Sequence, residues 1–124
     1  MIVLSGDYLL LMLQFYLLTV AVETAVLLFG LSRRHPLGVK LFVGVWLTAC
    51  TYPVVWLVLP EFITERGRYL LVAETFAPLA ECGLFWLGFL RGLPFNRAFA
   101  RDMLAIVVAN LASFAVGELI HAMG

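Results

Sequence analysis

Apolar residues run through the chain in four long blocks separated by short polar stretches. The blocks extend from about Tyr8 to Leu31, Leu41 to Leu59, Tyr69 to Leu90 and Met103 to Met123. A helix needs about 20 residues to cross roughly 30 Å of hydrocarbon, and each block supplies them. The strict alternation over about 10 residues that marks a barrel strand is absent. Helices then remain as the element that satisfies its own backbone in lipid. The pattern predicts an all-α polytopic membrane protein, with residues 1–124 forming one four-helix transmembrane domain. Pro53 and Pro78 fall inside the second and third blocks. Prolines are tolerated there when neighbouring helices satisfy the freed carbonyls.

Within the blocks the polar residues recur at helical spacing. Tyr16, Thr19, Glu23 and Gly30 share a stripe on the first helix, and Gly44, Thr48, Thr51 and Tyr52 on the second. Glu74, Pro78, Glu81 and Gly88 line one side of the third. On the fourth, Asn110, Gly117 and His121 align, with Ser113 and Glu118 flanking them. Small residues allow close helix approach, and hydroxyls and amides bond across helices for on the order of 0.6 kcal/mol per pair. Many of these positions need no further role. The carboxyl groups resist that reading. A charged group at the bilayer centre costs about 2.5 kcal/mol or more, and such residues usually face an interior and serve a function. Glu23 and Glu81 form a layer near the middle with Asn110, Thr48 and Thr51. Glu74, Glu118 and His121 lie nearer one end. Two neighbouring carboxyl groups can share one proton, which suits proton-coupled or cation-binding chemistry. These eight residues, Glu23, Glu74, Glu81, Glu118, Asn110, Thr48, Thr51 and Ser113, are the candidate ion- or solute-binding set.

Composition agrees with a membrane protein. Hydrophobic residues make up 64% of 124, against about 45–50% in a soluble domain, and mean hydropathy is +1.04. Formal net charge is zero, which gives no electrostatic case for nucleic acid. The opening MIVLSGDY lacks the positive region and cleavage site of a signal peptide, so the first helix is expected to be retained. Cys50 and Cys82 fall inside blocks and read as small packing residues rather than a disulfide.

The eight basic residues all lie in connections. SRRHPLGVK carries Arg33, Arg34 and Lys40, and RGLPFNRAFARD carries Arg91, Arg97 and Arg101. PEFITERGR balances Arg66 and Arg68 against Glu61 and Glu65. The positive-inside rule puts the first and third connections in the cytoplasm and both termini on the outer, periplasmic side.

The chain also matches itself. Glu23, Gly30, Arg33 and Pro36 recur 58 positions later as Glu81, Gly88, Arg91 and Pro94. After a four-residue insertion, Thr48 and Thr51 align with Asn110 and Ser113. The first and third helices run the same way. The match therefore predicts two tandem hairpins related by a pseudo-twofold axis along the membrane normal. Glu23 and Glu81 would then sit at one depth and face each other.

The combination of Glu23, Thr51-Tyr52-Pro53, Glu74 with Glu81, and Asn110-x-x-Ser113-x-x-x-Gly117 resembles a broad group of small, uncharacterised bacterial four-helix integral membrane proteins. Their pattern is E, T-x-P, E-x6-E and N-x-x-S-x-x-x-G. The resemblance covers most of the chain. It implies a bacterial inner membrane and no known activity.

Glu118-Leu-Ile-His121 puts a carboxylate and an imidazole on one helix face. Di-iron bundles use two such motifs and two further Glu, whereas this chain has one. Glu118 and His121 are the candidate metal ligands, with a plain Glu–His hydrogen bond the simpler expectation. No nucleophile-with-base arrangement, phosphate loop or cysteine ligand cluster occurs, so an enzyme is not expected and no cofactor is implied. The reading favoured is a transporter or channel subunit for a proton, cation or small polar solute. It would act in the bilayer as a homo-oligomer or with a membrane-protein partner. The alternative is a non-catalytic accessory subunit of a larger membrane complex.

Overall fold

The computed structural model describes residues 6–123. They form four helices: α1 (Gly6–Gly30), α2 (Leu37–Phe62), α3 (Arg66–Leu90) and α4 (Arg97–Met123). Each is long and apolar enough to cross a bilayer. Contacts join α1 to α2, α2 to α3, α3 to α4 and, most extensively, α4 back to α1. The helices thus form a closed ring. The α2–α3 connection lies at the end where α1 begins, here the terminal end. The other two connections form the basic end.

Two glycines set the closest approaches. A Cβ at Gly44 would collide with Thr24 of α1, and one at Gly30 would lie 2.9 Å from Ala105 Cβ of α4. Such contacts matter because lipid is as apolar as Leu, so packing rather than water exclusion holds the bundle. The outer surface is correspondingly apolar, with Leu17, Phe29, Leu71, Leu79, Leu104 and Leu119 all exposed. The buried apolar cluster is small and lies towards the basic end. It comprises Leu27, Leu31, Val43, Leu47, Phe85, Leu90, Ala105, Ile106 and Ala109.

The helix ends have specific partners. Glu65 caps α3 by accepting from Gly67 N at 2.8 Å and Arg68 N at 2.7 Å. Asn96 precedes α4 and accepts from Phe99 N at 3.1 Å. The last carbonyls of α1 receive two cations. Lys40 Nζ donates to Leu28 O and Leu31 O, and Arg101 to Phe29 O and Gly30 O. Positive charge is favourable at a helix C-terminus, where carbonyls lack intrahelical donors. Two of the cations that the loop charges assign to topology are therefore also fold elements.

In α2 the turn Val54–Val58 is π-helical, with Leu59 N donating to Val54 O. Pro60 has no N–H to offer Trp56 or Val55, four and five residues back. Two tyrosines fill the gap. Tyr8 of α1 donates to Trp56 O at 2.6 Å, and Tyr69 of α3 to Val55 O at 2.7 Å. Neighbouring helices thus satisfy carbonyls that a proline leaves open. A second π-helical turn, Trp86–Leu90, ends α3.

The sequence blocks begin later than the helices. α4 starts at Arg97 rather than near Met103, which draws Asp102 into the bundle. Cys50 and Cys82 are free thiols. Contrary to expectation Cys50 is exposed on the apolar surface, while Cys82 lies 3.8 Å from Met103 O.

Candidate functional site

A pocket of about 380 Å³ opens between the four helices at the terminal end. Its lining includes Tyr8 and Glu118 towards the mouth and stops at Glu23, Thr48, Glu81 and Asn110. Beyond that level the apolar cluster takes over. From Glu23 to Leu31 it is about 12 Å thick along α1. The pocket is therefore open at one end and closed by packed side chains at the other.

The carboxyl groups of Glu23 and Glu81 form its floor. They are 3% and 2% exposed and lie close enough for one carboxyl group to hydrogen-bond the other. Two carboxyl groups can make that bond only if one carries a proton. Their other partners come from α2 and α4. Thr51 Oγ1 of α2 lies 2.9 Å from Glu81 Oε2, and Asn110 Nδ2 of α4 donates to Glu81 Oε1 at 3.2 Å. Ser113 Oγ of α4 lies 2.7 Å from Glu23 Oε2. Glu81 has two donors from other helices and Glu23 one.

The hydroxyls have a choice. Thr51 Oγ1 is also 3.2 Å from Leu47 O, and Ser113 Oγ is 3.0 Å from Asn110 O. Each hydroxyl has one hydrogen and can also accept. Facing a carboxylate, it donates to it. Facing a protonated carboxyl, it can donate to its own helix and accept the acid proton. The floor can therefore gain or lose a proton without stranding a buried donor. Asn110 Nδ2 has two hydrogens and serves both Glu81 and Ile106 O, the latter at 2.9 Å. Thr48 is buried on the same floor but donates to Gly44 O at 3.0 Å.

Glu74 lines the pocket seven residues before Glu81 on α3, about 10 Å higher along the axis. Its carboxyl has no hydrogen-bond or ion-pair partner among the described residues. Glu118 at the mouth takes a bidentate pair from Arg66 at 2.8 and 2.9 Å. That guanidinium, rather than the imidazole of His121, is its partner. His121 lines the mouth. Among the described residues no group of three or more His, Cys, Asp or Glu is placed to hold a metal.

The walls are aromatic. Tyr8, Phe15, Tyr52, Trp56, Tyr69 and Phe114 line the pocket. Trp56 has ring centroids 5.5 Å from Tyr8, 5.9 Å from Phe15 and 5.7 Å from Tyr52. Of the six wall residues, the polar stripes read from the sequence include Tyr52 alone. The spacings Tyr8–Phe15 and Tyr52–Trp56, seven and four residues apart, were the available signal that they share the faces of Glu23 and Thr48.

A second polar cluster closes the basic end. Asp102 is 0% exposed. It accepts from Ser32 N at 2.7 Å, Ser32 Oγ at 3.2 Å and Arg34 Nη2 at 3.1 Å, and lies 2.9 Å from His35 Nε2. The loop after α1 is thereby tied to α4. Sequence reasoning placed all these residues in solvent-facing connections.

No family model matches the chain, and neither a curated protein nor a solved structure is similar to it.

Proposed function

We propose that the chain is a small transporter subunit of the bacterial inner membrane that takes a proton, cation or small polar solute into the carboxylate-floored pocket. The observation that carries this is the Glu23–Glu81 pair at the closed end of an open pocket, bonded by hydroxyls that tolerate either protonation state. The closed basic end favours a transporter over a channel subunit. Transport then requires the Leu27–Phe85–Ile106 packing to part while the terminal end closes.

The distribution of Arg and Lys supports an orientation in which the pocket opens to the periplasm. The resemblance of the motifs to small bacterial four-helix proteins supports the inner membrane. A homo-oligomer is the proposed assembly.

Two tandem hairpins related by a pseudo-twofold axis are part of the proposal. The Thr51–Glu81 contact between α2 and α3 corresponds to the Ser113–Glu23 contact between α4 and α1. The correspondence weakens elsewhere, since Asn110 reaches a carboxyl group and its counterpart Thr48 bonds its own helix.

The accessory reading has less support, because the chain itself buries both floor carboxyl groups and leaves neither for a partner. Purified chain in vesicles, with a pH-sensitive dye inside and a panel of external cations, tests the choice. The transport reading expects cation-dependent proton movement that Glu81→Gln abolishes while the protein stays folded. Glu81→Gln without effect, with Glu81→Leu disturbing a co-purifying complex, would establish the accessory role instead.

A further inference from the structure

The walls and the charge of the pocket narrow what it can take, and the narrowing rests on the pocket being a transport site. Four carboxyl side chains line it, against one guanidinium already committed to Glu118. Glu23 and Glu81 have each other and three further donors. Glu74 alone projects a carboxyl group without a protein partner among the described residues. An unpaired carboxylate in a half-buried pocket favours a positive ligand over a neutral one. A bare metal ion fits poorly, because among the described residues no three ligating side chains converge. It would also leave the aromatic walls and most of about 380 Å³ unused. Pockets of this size hold small organic molecules, and aromatic walls attract cationic heads.

We infer that the pocket receives an organic ammonium compound, its cationic head at Glu74 and its carbon body against Tyr52, Trp56 and Tyr69. The hydroxyl of Tyr69 is held by Val55 O, and the ring of Trp56 is stacked on Tyr52. The walls are therefore fixed before a ligand arrives. Fixed walls lower the ordering cost of binding.

Titration of the purified full chain in detergent, read by tryptophan fluorescence and calorimetry, tests this. The ligands are benzyltrimethylammonium, tetramethylammonium, benzyl alcohol and sodium. The first should bind saturably and about tenfold tighter than either half alone. Glu74→Gln should weaken it about tenfold and Trp56→Leu about threefold, with Leu79→Ala on the outer surface as the unchanged control. Glu74 makes no bond to the described residues, so its replacement leaves folding intact. Binding of sodium or benzyl alcohol in place of the ammonium compound would overturn the ligand class and keep the pocket as a transport site. Ammonium binding equal in wild type, Glu74→Gln and Trp56→Leu would be detergent partitioning and would overturn the inference. Absence of binding by all four ligands, with Glu81→Gln silent in vesicles, would remove both this inference and the transport reading.

Discussion

The backbone N–H of Ser32 donates to Asp102 Oδ1 at 2.7 Å, across 70 residues of sequence. This bond fixes where α1 ends and where α4 lies beside it. Asp102 is fully buried and also holds Arg34 and His35. Removing its carboxylate leaves an amide, a guanidinium and an imidazole without their acceptor. Asp102→Ala should cost about 3 kcal/mol of stability, and Asp102→Asn, which keeps one acceptor oxygen, about half of that. Unfolding in detergent measures both. Equal stability of Asp102→Ala and wild type would show that the cluster holds nothing together.

Gly44 lets α2 settle against Thr24 of α1. A methyl group there meets Thr24 Oγ1, Cβ and Cα. Gly44→Ala should destabilise the bundle by about 1–3 kcal/mol. Thr24 Oγ1 is buried without a hydrogen-bond partner among the described residues. Thr24→Ala should therefore cost little, and should recover part of the loss when combined with Gly44→Ala. A strictly additive double variant would argue against the contact.

The proposed orientation, with the pocket open to the periplasm, rests on loop charge and is checked by cysteine labelling in intact cells. The background is Cys50→Ser with Cys82→Ala. Thr64→Cys and Arg33→Cys place thiols on exposed positions of opposite ends. An impermeant reagent should label Thr64→Cys alone. Label on Arg33→Cys alone would invert the protein. Ser32 is unsuitable for this purpose because Asp102 holds both its amide and its hydroxyl.

The four helices were legible because each block is about 20 residues long and apolar apart from one polar stripe, the length and composition of a bilayer-crossing helix. The meeting of Glu23 with Glu81 was legible for a different reason. Both stand at equal distance from a Gly-x-x-Arg-x-x-Pro helix end. Asp102 was not legible. It follows Arg97 and Arg101 in a stretch that reads as a solvated loop, and only the helical start at Arg97 turns it inward. Local patterning cannot show that Ser32, Arg34 and His35 wait for it 67 to 70 residues away. The pocket walls were hidden likewise. Aromatic residues near a span end look the same whether they face lipid headgroups or a cavity. The partner of Glu118 was also misread. His121 is nearby on its own helix, but Arg66 comes from the connection that starts α3.

The proposed transport site requires one proton held between Glu23 and Glu81. Infrared difference spectroscopy of the purified chain at neutral pH measures it directly. Wild type should show a protonated-carboxyl band that Glu23→Gln and Glu81→Gln each shift or remove. Thr51→Val should move the same band, because Thr51 Oγ1 lies 2.9 Å from Glu81. A wild-type spectrum with no such band, or a band untouched by either Glu→Gln substitution, would contradict a shared proton at the pocket floor.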